Sequence, residues 1–237
     1  DNVNGMYIDV EKNGCSFRNY KDLLLLGAID QRTGENEKGG CYDKLRKIAK
    51  DLYPNSKEKY HWSAQDCMTI DKIPYIGKYS EQTPNVYVAT GFNKWGMTSS
   101  MVSAMIISDM ILDKENDFSE IFSPKRFDLS LSIGNIANDM IETAKNFIAQ
   151  KIYIPSSKIE HIKNGHAGIV EYNGDKIGVY KNNDGKEFIV STKCPHLGCQ
   201  LGWNADELTW DCPCHGSRFD YKGRLIGSPA TKDLIDN

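Results

Sequence analysis

Two short boxes rich in cysteine and histidine dominate this sequence: Cys-Pro-His-Leu-Gly-Cys at residues 194–199 and Cys-Pro-Cys-His-Gly-Ser at residues 212–217. They hold four of the seven cysteines of the chain, whereas Cys15, Cys41 and Cys67 are scattered. Thiol and imidazole groups that cluster in this way predict a metal site. On donor chemistry alone, two thiolates and two imidazoles also suit a single tetrahedral zinc ion.

The segment around the boxes, about residues 152–237, resembles the Rieske family of [2Fe-2S] proteins. The likeness extends to residues 201–204, Glu207, residues 209–211 and residues 216–220. In that family cysteine holds one iron of the cluster and histidine holds the other. The resemblance therefore implies a Rieske-type [2Fe-2S] cluster and a one-electron redox role.

A ligand set and a disulfide follow from this resemblance. The implied cluster ligands are Cys194, His196, Cys212 and His215. The other two cysteines of the boxes, Cys199 and Cys214, are implied to pair across the two loops. A structural zinc ion, which would give a colourless protein, and a plain disulfide knot are the alternative interpretations.

Five neighbouring residues are expected to tune the cluster. Gly198 and Gly216 let backbone amides approach the cluster sulfurs, and Ser217 resembles the family serine whose hydroxyl raises the reduction potential. Phe219 stands where high-potential members carry a tyrosine, so we expect the lower or middle part of the range of about −150 to +300 mV. Pro229 resembles the family's proline loop over the cluster, with an ordinary turn as the alternative.

Some members of the family are ring-hydroxylating oxygenases, which carry a second, mononuclear iron after the cluster. No histidine follows His215, so the two histidines and one carboxylate that such an iron requires are missing there. We therefore expect electron transfer rather than ring hydroxylation.

The first part of the chain has a different texture. Apolar residues recur with helical spacing over residues 42–52 and 98–112, between short strand-like runs, which indicates an α/β region. From Ile152 onward, short alternating strands with an Asn-Gly turn at residues 173–174 indicate an all-β domain.

These patterns predict an α+β multidomain protein. We expect a partial α/β flavoprotein-like region at residues 1–127, a linker helix at residues 128–151 and an all-β Rieske domain at residues 152–237. The linker prediction rests on an apolar stripe that repeats with helical spacing from Ile133 to Ile148.

Three stretches of the first part, residues 60–66, 71–77 and 85–98, resemble the C-terminal part of FAD-dependent oxidoreductases of the D-amino-acid-oxidase and glycine-oxidase class. In that class a strand leads through a glycine turn into a helix whose positive end faces the flavin. The implied flavin contacts are Gly91, Phe92, Trp95, Gly96, Met97 and Thr98. A strand-to-helix turn that fills a core is the alternative interpretation.

The sequence has no Gly-x-Gly-x-x-Gly motif, which in flavoproteins holds the pyrophosphate of FAD. We therefore expect the chain to correspond to the C-terminal portion of a larger enzyme. FAD would belong to the full-length enzyme, and the missing N-terminal flavin-binding portion would be a partner of this chain. Apolar faces that this portion would cover favour self-association into a homo-oligomer.

Charge and hydropathy exclude other classes of partner. A net charge of −3 lacks the basic excess of proteins that bind nucleic acid or anionic membranes. The longest apolar run, residues 23–29, falls far short of the roughly 20 residues of a membrane anchor. Because no leader precedes the first residues, we expect a cytoplasmic protein, where a disulfide would be unusual.

Two functional hypotheses follow. In the first, a FAD-dependent oxidoreductase passes electrons from its flavin through the Rieske centre to an acceptor, which is a redox protein or a small molecule. In the second, the chain is a stand-alone Rieske-type electron-transfer protein whose first half is a scaffold or docking surface. Only the first hypothesis implies oxidoreductase catalysis, by the full-length flavoprotein.

Overall fold

The chain is described by a computed structural model, in which residues 3–10, 14–126 and 159–234 can be placed. These residues form many short strands and few helices, with an α/β region first and an all-β region last. The predicted α+β class is thereby confirmed. The linker helix predicted at residues 128–151 lies outside the described residues.

Two compact units make up the described part of the chain. Residues up to Ser63 and residues from Ile159 onward form one unit, and residues from Ala64 to Arg126 form the other. This grouping follows contacts in space rather than position along the chain, so the predicted division at residues 127 and 152 stays a prediction.

The first unit begins with a three-stranded antiparallel sheet and one helix. Its elements are β1 (Met6–Ile8), β2 (Ser16–Tyr20), β3 (Leu23–Gly27) and α1 (Cys41–Leu52). β2 pairs with both neighbours, with Met6 opposite Arg18 and Tyr20 opposite Leu23. The tight β2–β3 turn contains Lys21 in the left-handed region, at φ 54°.

The second unit is a β-hairpin that packs against a helix. Its elements are β4 (Tyr75–Ser80), β5 (Thr83–Thr90), α2 (Gly96–Ile111) and the short α3 (Ser119–Phe122). Ile76 and Ile106 supply its buried apolar side chains, whereas Met97, Met101 and Met105 of α2 are exposed. The helix thus leaves an apolar face uncovered in the described part of the chain.

The all-β part of the first unit contains two sheets. A short 3₁₀ helix (Ile159–His161) precedes β6 (His166–Tyr172), β7 (Asp175–Lys181) and β8 (Glu187–Ser191), and these are followed by β9 (Gly202–Asn204), β10 (Thr209–Asp211), β11 (Arg218–Asp220) and β12 (Leu225–Gly227). The sheets have the orders β6-β7-β8 and β12-β11-β10-β9. The predicted turn at Asn173 and Gly174 closes the β6–β7 hairpin, with Tyr172 opposite Asp175.

One buried cluster of side chains joins the two sheets and the two loops that carry the boxes at residues 194–199 and 212–217. Trp203 and Trp210 pack with ring centroids 4.9 Å apart, and Trp203 lies 5.2 Å from the ring of Tyr180. Phe219 and Leu201 belong to the same cluster. Burial of these large side chains anchors the strands from which the metal-site loops emerge.

Candidate metal centre

The two boxes fold into loops of matching geometry. The first loop leads from β8 to β9, and the second joins β10 to β11. In the first, the N–H of Cys194 donates to the carbonyl of Cys199 at 2.8 Å and the N–H of Gly198 donates back to Cys194 at 2.9 Å. In the second, Cys212 donates to Ser217 at 2.7 Å and Gly216 donates back to Cys212 at 3.0 Å.

Both loops need glycine at the fifth position of the box. Gly198 has φ +77° and Gly216 has φ +82°, a left-handed conformation that disfavours side chains with a Cβ. The two glycines thus shape the turns. This local role explains the presence of glycine at both positions, independently of the expected approach to a cluster.

A disulfide ties the two loops together. The structure bonds Cys199 of the first loop to Cys214 of the second, with Cα atoms 6.6 Å apart. The cysteine pairing expected from the family resemblance is therefore present in the structure.

The four predicted ligands divide into a buried pair and an exposed pair. The thiols of Cys194 and Cys212 are free and almost fully buried, with 2% and 1% of each residue exposed. The rings of His196 and His215 lie at the surface, with centroids 4.9 Å apart and planes at 90°. Each loop contributes one member to each pair.

The buried pair can carry negative charge only in contact with a cation. Burial raises the pKa of the Cys212 thiol, backbone N–H groups of His215 and Cys214 act in the opposite direction, and the neighbouring Cys194 raises it further. Two neighbouring thiolates repel each other unless a metal lies between them. N–H donors to sulfur are also what stabilises a cluster ligand. The donor set therefore fits an iron-sulfur cluster.

The neighbours of the centre are placed as follows. Ser217 is fully buried, and its Oγ accepts a hydrogen bond from the N–H of Ala230 at 2.9 Å, which leaves the hydroxyl hydrogen free to donate elsewhere. Phe219 is fully buried beneath the second loop. Pro229 is exposed and follows Ser228 through a cis peptide bond.

A buried polar network lies behind the second loop. Asp211, directly before Cys212, accepts hydrogen bonds from Thr209 at 2.8 Å, from Arg218 Nε at 3.1 Å and from Asn204 at 3.0 Å. Arg218 is also 3.8 Å from Glu207. The network holds the strands on both sides of the loop, because Asp211 ends β10 and Arg218 begins β11.

The flavin candidates lie in the second unit, at the turn from β5 into α2. Gly91 is buried at φ +73°, and a Cβ there would overlap the side chain of Thr69, so backbone conformation and packing both favour glycine. Gly96 faces open space, where a Cβ would meet no atom within 4 Å. Trp95 and Met97 are exposed by 56% and 86%.

The remaining two candidates, Phe92 and Thr98, are half-buried and exposed respectively. An open glycine beside an exposed tryptophan and the amino end of a 16-residue helix fits an aromatic, anionic group such as a flavin.

Comparison with known proteins identifies both parts of the chain. Residues 153–236 match the Rieske [2Fe-2S] domain family, and residues 2–110 match the FAD dependent oxidoreductase family. The chain therefore carries a FAD-dependent oxidoreductase domain in its N-terminal part and a Rieske [2Fe-2S] domain in its C-terminal part. The fusion predicted from sequence is confirmed.

Relatives support the same assignment. YhfW of Bacillus subtilis, designated a Rieske 2Fe-2S iron-sulfur protein, is 40% identical over 235 residues, which are 97% of this chain and 46% of that protein. Cytochrome b6-f complex iron-sulfur subunit 1 of Nostoc is 44% identical over 48 residues, 20% of this chain and 27% of that subunit. The chain thus spans about half the length of the first relative.

Among solved structures, the plasma membrane Rieske protein PetC3 from Synechocystis is 32% identical, with a TM-score of 0.27. The match covers 29% of this chain and 70% of that chain.

None of the helices in the described parts of this chain is long and apolar enough to cross a membrane.

Two polar residues that the fold brings into contact, Asn36 and Asp206, carry no functional signal in the sequence. Asn36 and Asp206 are joined by a hydrogen bond of 3.0 Å although 170 residues separate them. Neither belongs to a motif with a known chemical meaning, so only the folded structure could bring them together.

Proposed function

We propose that this chain is the electron-transfer portion of a FAD-dependent oxidoreductase, in which a Rieske centre carries electrons from the flavin to an acceptor. The observation that supports this most directly is the pair of buried, free thiols at Cys194 and Cys212 beside the exposed imidazoles of His196 and His215. The match of residues 2–110 to the FAD dependent oxidoreductase family supports the flavin half of the proposal.

The four ligands would have different tasks. Cys194 and Cys212 would hold the buried iron, while His196 and His215 would hold the outer iron and bring it to the surface. A Rieske cluster supplies one-electron transfer at about −150 to +300 mV, because neutral imidazoles replace two anionic thiolates. Exposed imidazoles, with Leu197 exposed between the ligands of the first loop, offer a redox partner close access.

Other groups would adjust the potential of the centre. The Ser217 hydroxyl, whose oxygen accepts a hydrogen bond from Ala230, would donate its hydrogen to a cluster sulfur. Phe219 can donate no hydrogen bond, so the proposed potential lies in the lower or middle part of the range. Gly198 and Gly216 would bring backbone amides close, and Pro229 would cover the centre.

On the flavin side, we assign contacts to the turn and helix start at Gly91, Phe92, Trp95, Gly96, Met97 and Thr98. The exposed Met97 and Trp95 would pack on the ring, and the amino end of α2 would favour negative charge on it. The pyrophosphate would be held by an N-terminal flavin-binding portion, a partner of this segment that would also cover the exposed face of α2.

The wider assignment follows from these parts. We place the flavoprotein region at residues 1–127, the linker at 128–151 and the Rieske domain at 152–237. The proposed location is the cytoplasm, and the proposed partners are a redox protein or small-molecule acceptor and, where the N-terminal portion leaves the apolar face of α2 uncovered, a second copy of the chain. A stand-alone carrier is less supported, because residues 2–110 match a flavoprotein family.

Chemical analysis of anaerobically purified protein tests the proposal. We expect about two irons and two acid-labile sulfides per chain, with zinc well below one. A colourless protein that contains zinc and no sulfide would overturn it. Bound FAD in the same sample, or in a chain extended to the length of the full relative, would support the flavin half, and an extended chain without flavin would contradict that half.

A further inference from the structure

A short segment of the flavoprotein part docks on the Rieske domain within the first compact unit. We call residues 34–42 the docking segment. It ends in the first turn of α1, where the carboxylate of Asp206 accepts hydrogen bonds from the N–H groups of Gly40 at 2.9 Å and Cys41 at 2.8 Å. Asn36 donates to the same carboxylate at 3.0 Å.

The charge state of Asp206 agrees with this role. Burial pushes the pKa of Asp206 upward, but hydrogen bonds from Asn36, Gly40 and Cys41 outweigh burial and hold the pKa below its ordinary value. The docking segment therefore binds an ionised carboxylate, which is a stronger acceptor than a neutral group.

Backbone packing brings the docking segment against the second cluster loop. A Cβ at Gly34 would come within 2.9 Å of Pro213, the residue between Cys212 and Cys214. The carbonyl of Gly34 occupies the space that a side chain at Gly202 would need. Glycine at these two positions thus permits the backbones of the two segments to touch beside a ligand loop. Any larger residue at either position would push the two segments apart.

Two chains of polar contacts run from the docking segment to the residues that flank the second loop. In the first, Asn36, which is 6% exposed, donates to Asn204 at 2.9 Å, and Asn204 donates to Asp211 at 3.0 Å. In the second, the Tyr42 hydroxyl bonds to Glu207, which faces Arg218 at 3.8 Å.

We propose that Asn36 and Asp206 are positioning residues of the cluster. Through them, binding of the docking segment to the Rieske domain sets the geometry of the second cluster loop. Asp211 precedes the ligand Cys212, and its carboxylate has three partners that leave little freedom. Release of Asn36 would remove the shorter of the two hydrogen bonds that Asn204 Oδ1 accepts, at 2.9 Å against 3.3 Å from the N–H of Glu207, and would let the loop relax. The inference rests on the proposed function only in requiring a cluster in the centre.

Two variants of the full chain break the docking with opposite changes in charge. Asp206→Asn removes a negative charge and the strong acceptor. Asn36→Asp adds a negative charge, removes both side-chain donors and sets two carboxylates against each other. Asp220→Asn and Asn182→Asp are matched controls, because Asp220 accepts two N–H groups in the turn after β11 and Asn182 does the same in the turn after β7.

The first readout is tryptic cleavage after Lys38, which is exposed within the docking segment. Cleavage follows the population of the open segment, so each docking variant should be cut roughly tenfold faster than wild type, and the controls within about twofold. Equal rates in all five proteins would overturn docking through Asp206. This comparison needs no cluster.

The second readout is the midpoint potential of the cluster, followed by EPR. If docking positions the loop, both variants shift the potential in the same direction and by more than their controls. Shifts of opposite sign would mean a simple field effect of charge, and faster cleavage without any shift would mean docking without coupling, so either result overturns the proposal. A wild-type chain without a cluster would instead overturn the proposed function, while the cleavage rates would still decide docking.

Discussion

Asp206 caps a helix that begins 165 residues earlier in the sequence: its Oδ2 accepts the N–H of Cys41, the first residue of α1, at 2.8 Å. Gly40, the N-cap residue, provides no side-chain cap of its own. A carboxylate at the amino end of a helix satisfies its free N–H groups and stabilises its dipole. A residue of the Rieske domain therefore caps a helix of the flavoprotein part of the chain.

Loss of this cap should destabilise the protein in a pH-dependent way. Asp206→Ala should lower the free energy of unfolding by about 1 kcal/mol at pH 7. The folded pKa of Asp206 lies below its ordinary value, so its contribution is complete above about pH 4 and is lost as the pH falls through the folded pKa. Urea unfolding of both proteins at several pH values measures this difference, and a difference that grows with acidification would contradict it.

Substitution of a cluster ligand should abolish the visible absorption of the cluster. His196→Ala and Cys212→Ala each remove one donor from the centre, and the iron content should fall with the colour. His166→Ala and Cys67→Ser are matched controls, since both residues are exposed elsewhere in the chain. An unchanged spectrum in either ligand variant would rule out the ligand assignment.

The Cys199–Cys214 disulfide should contribute about 3 kcal/mol of stability, the value expected for a loop of roughly its length. Thiol alkylation of denatured, unreduced protein should label the five cysteines that are free in the structure. Cys199→Ala should then unfold at lower urea concentration than Cys15→Ala. Seven labelled thiols in the denatured, unreduced protein would show that the bridge does not form in the cell.

Hydrogen bonding at the buried face should set the potential. Ser217→Ala removes the hydroxyl beside Ala230 and should lower the midpoint potential, whereas Ser228→Ala, at an exposed position, should leave it unchanged. Phe219→Tyr adds a donor and should raise the potential. A wild-type potential above about +250 mV, near the top of the family range, would contradict the role given to Phe219.

The two glycines before α2 should respond differently to alanine. Gly91→Ala should cost more than about 1 kcal/mol, because of its positive φ and the overlap with Thr69. Gly96→Ala should change stability by less than about 0.5 kcal/mol, because its Cβ points into open space. Thermal unfolding compares the two, and a large loss at Gly96 would mean that packing rather than a flavin explains that glycine.

Local signals carried most of the prediction from sequence. The boxes at residues 194–199 and 212–217, the helix near Tyr42 to Leu52 and the Asn173–Gly174 hairpin are all encoded by neighbours along the chain. Short strands carried less signal, since β9 to β12 have three residues each and show no alternation over so short a span.

Long-range polar contacts could not be predicted in the same way. Asn36 reads as an ordinary loop residue and Asp206 as an ordinary turn residue, and only the fold brings them to 3.0 Å. The buried Asp211 gives a weaker hint, because a carboxylate directly before a ligand box needs partners if it is inside. Its partners Asn204 and Arg218 lie on neighbouring strands, which a single sequence does not pair.

The most direct test of the central claim is a low-temperature EPR spectrum of the anaerobically purified chain before and after reduction with dithionite. We predict no cluster signal before reduction and, after it, a signal with an average g value below 2, as expected for a [2Fe-2S] centre with imidazole ligands on one iron. A protein that stays EPR-silent and colourless in both states would contradict a Rieske centre at Cys194, His196, Cys212 and His215.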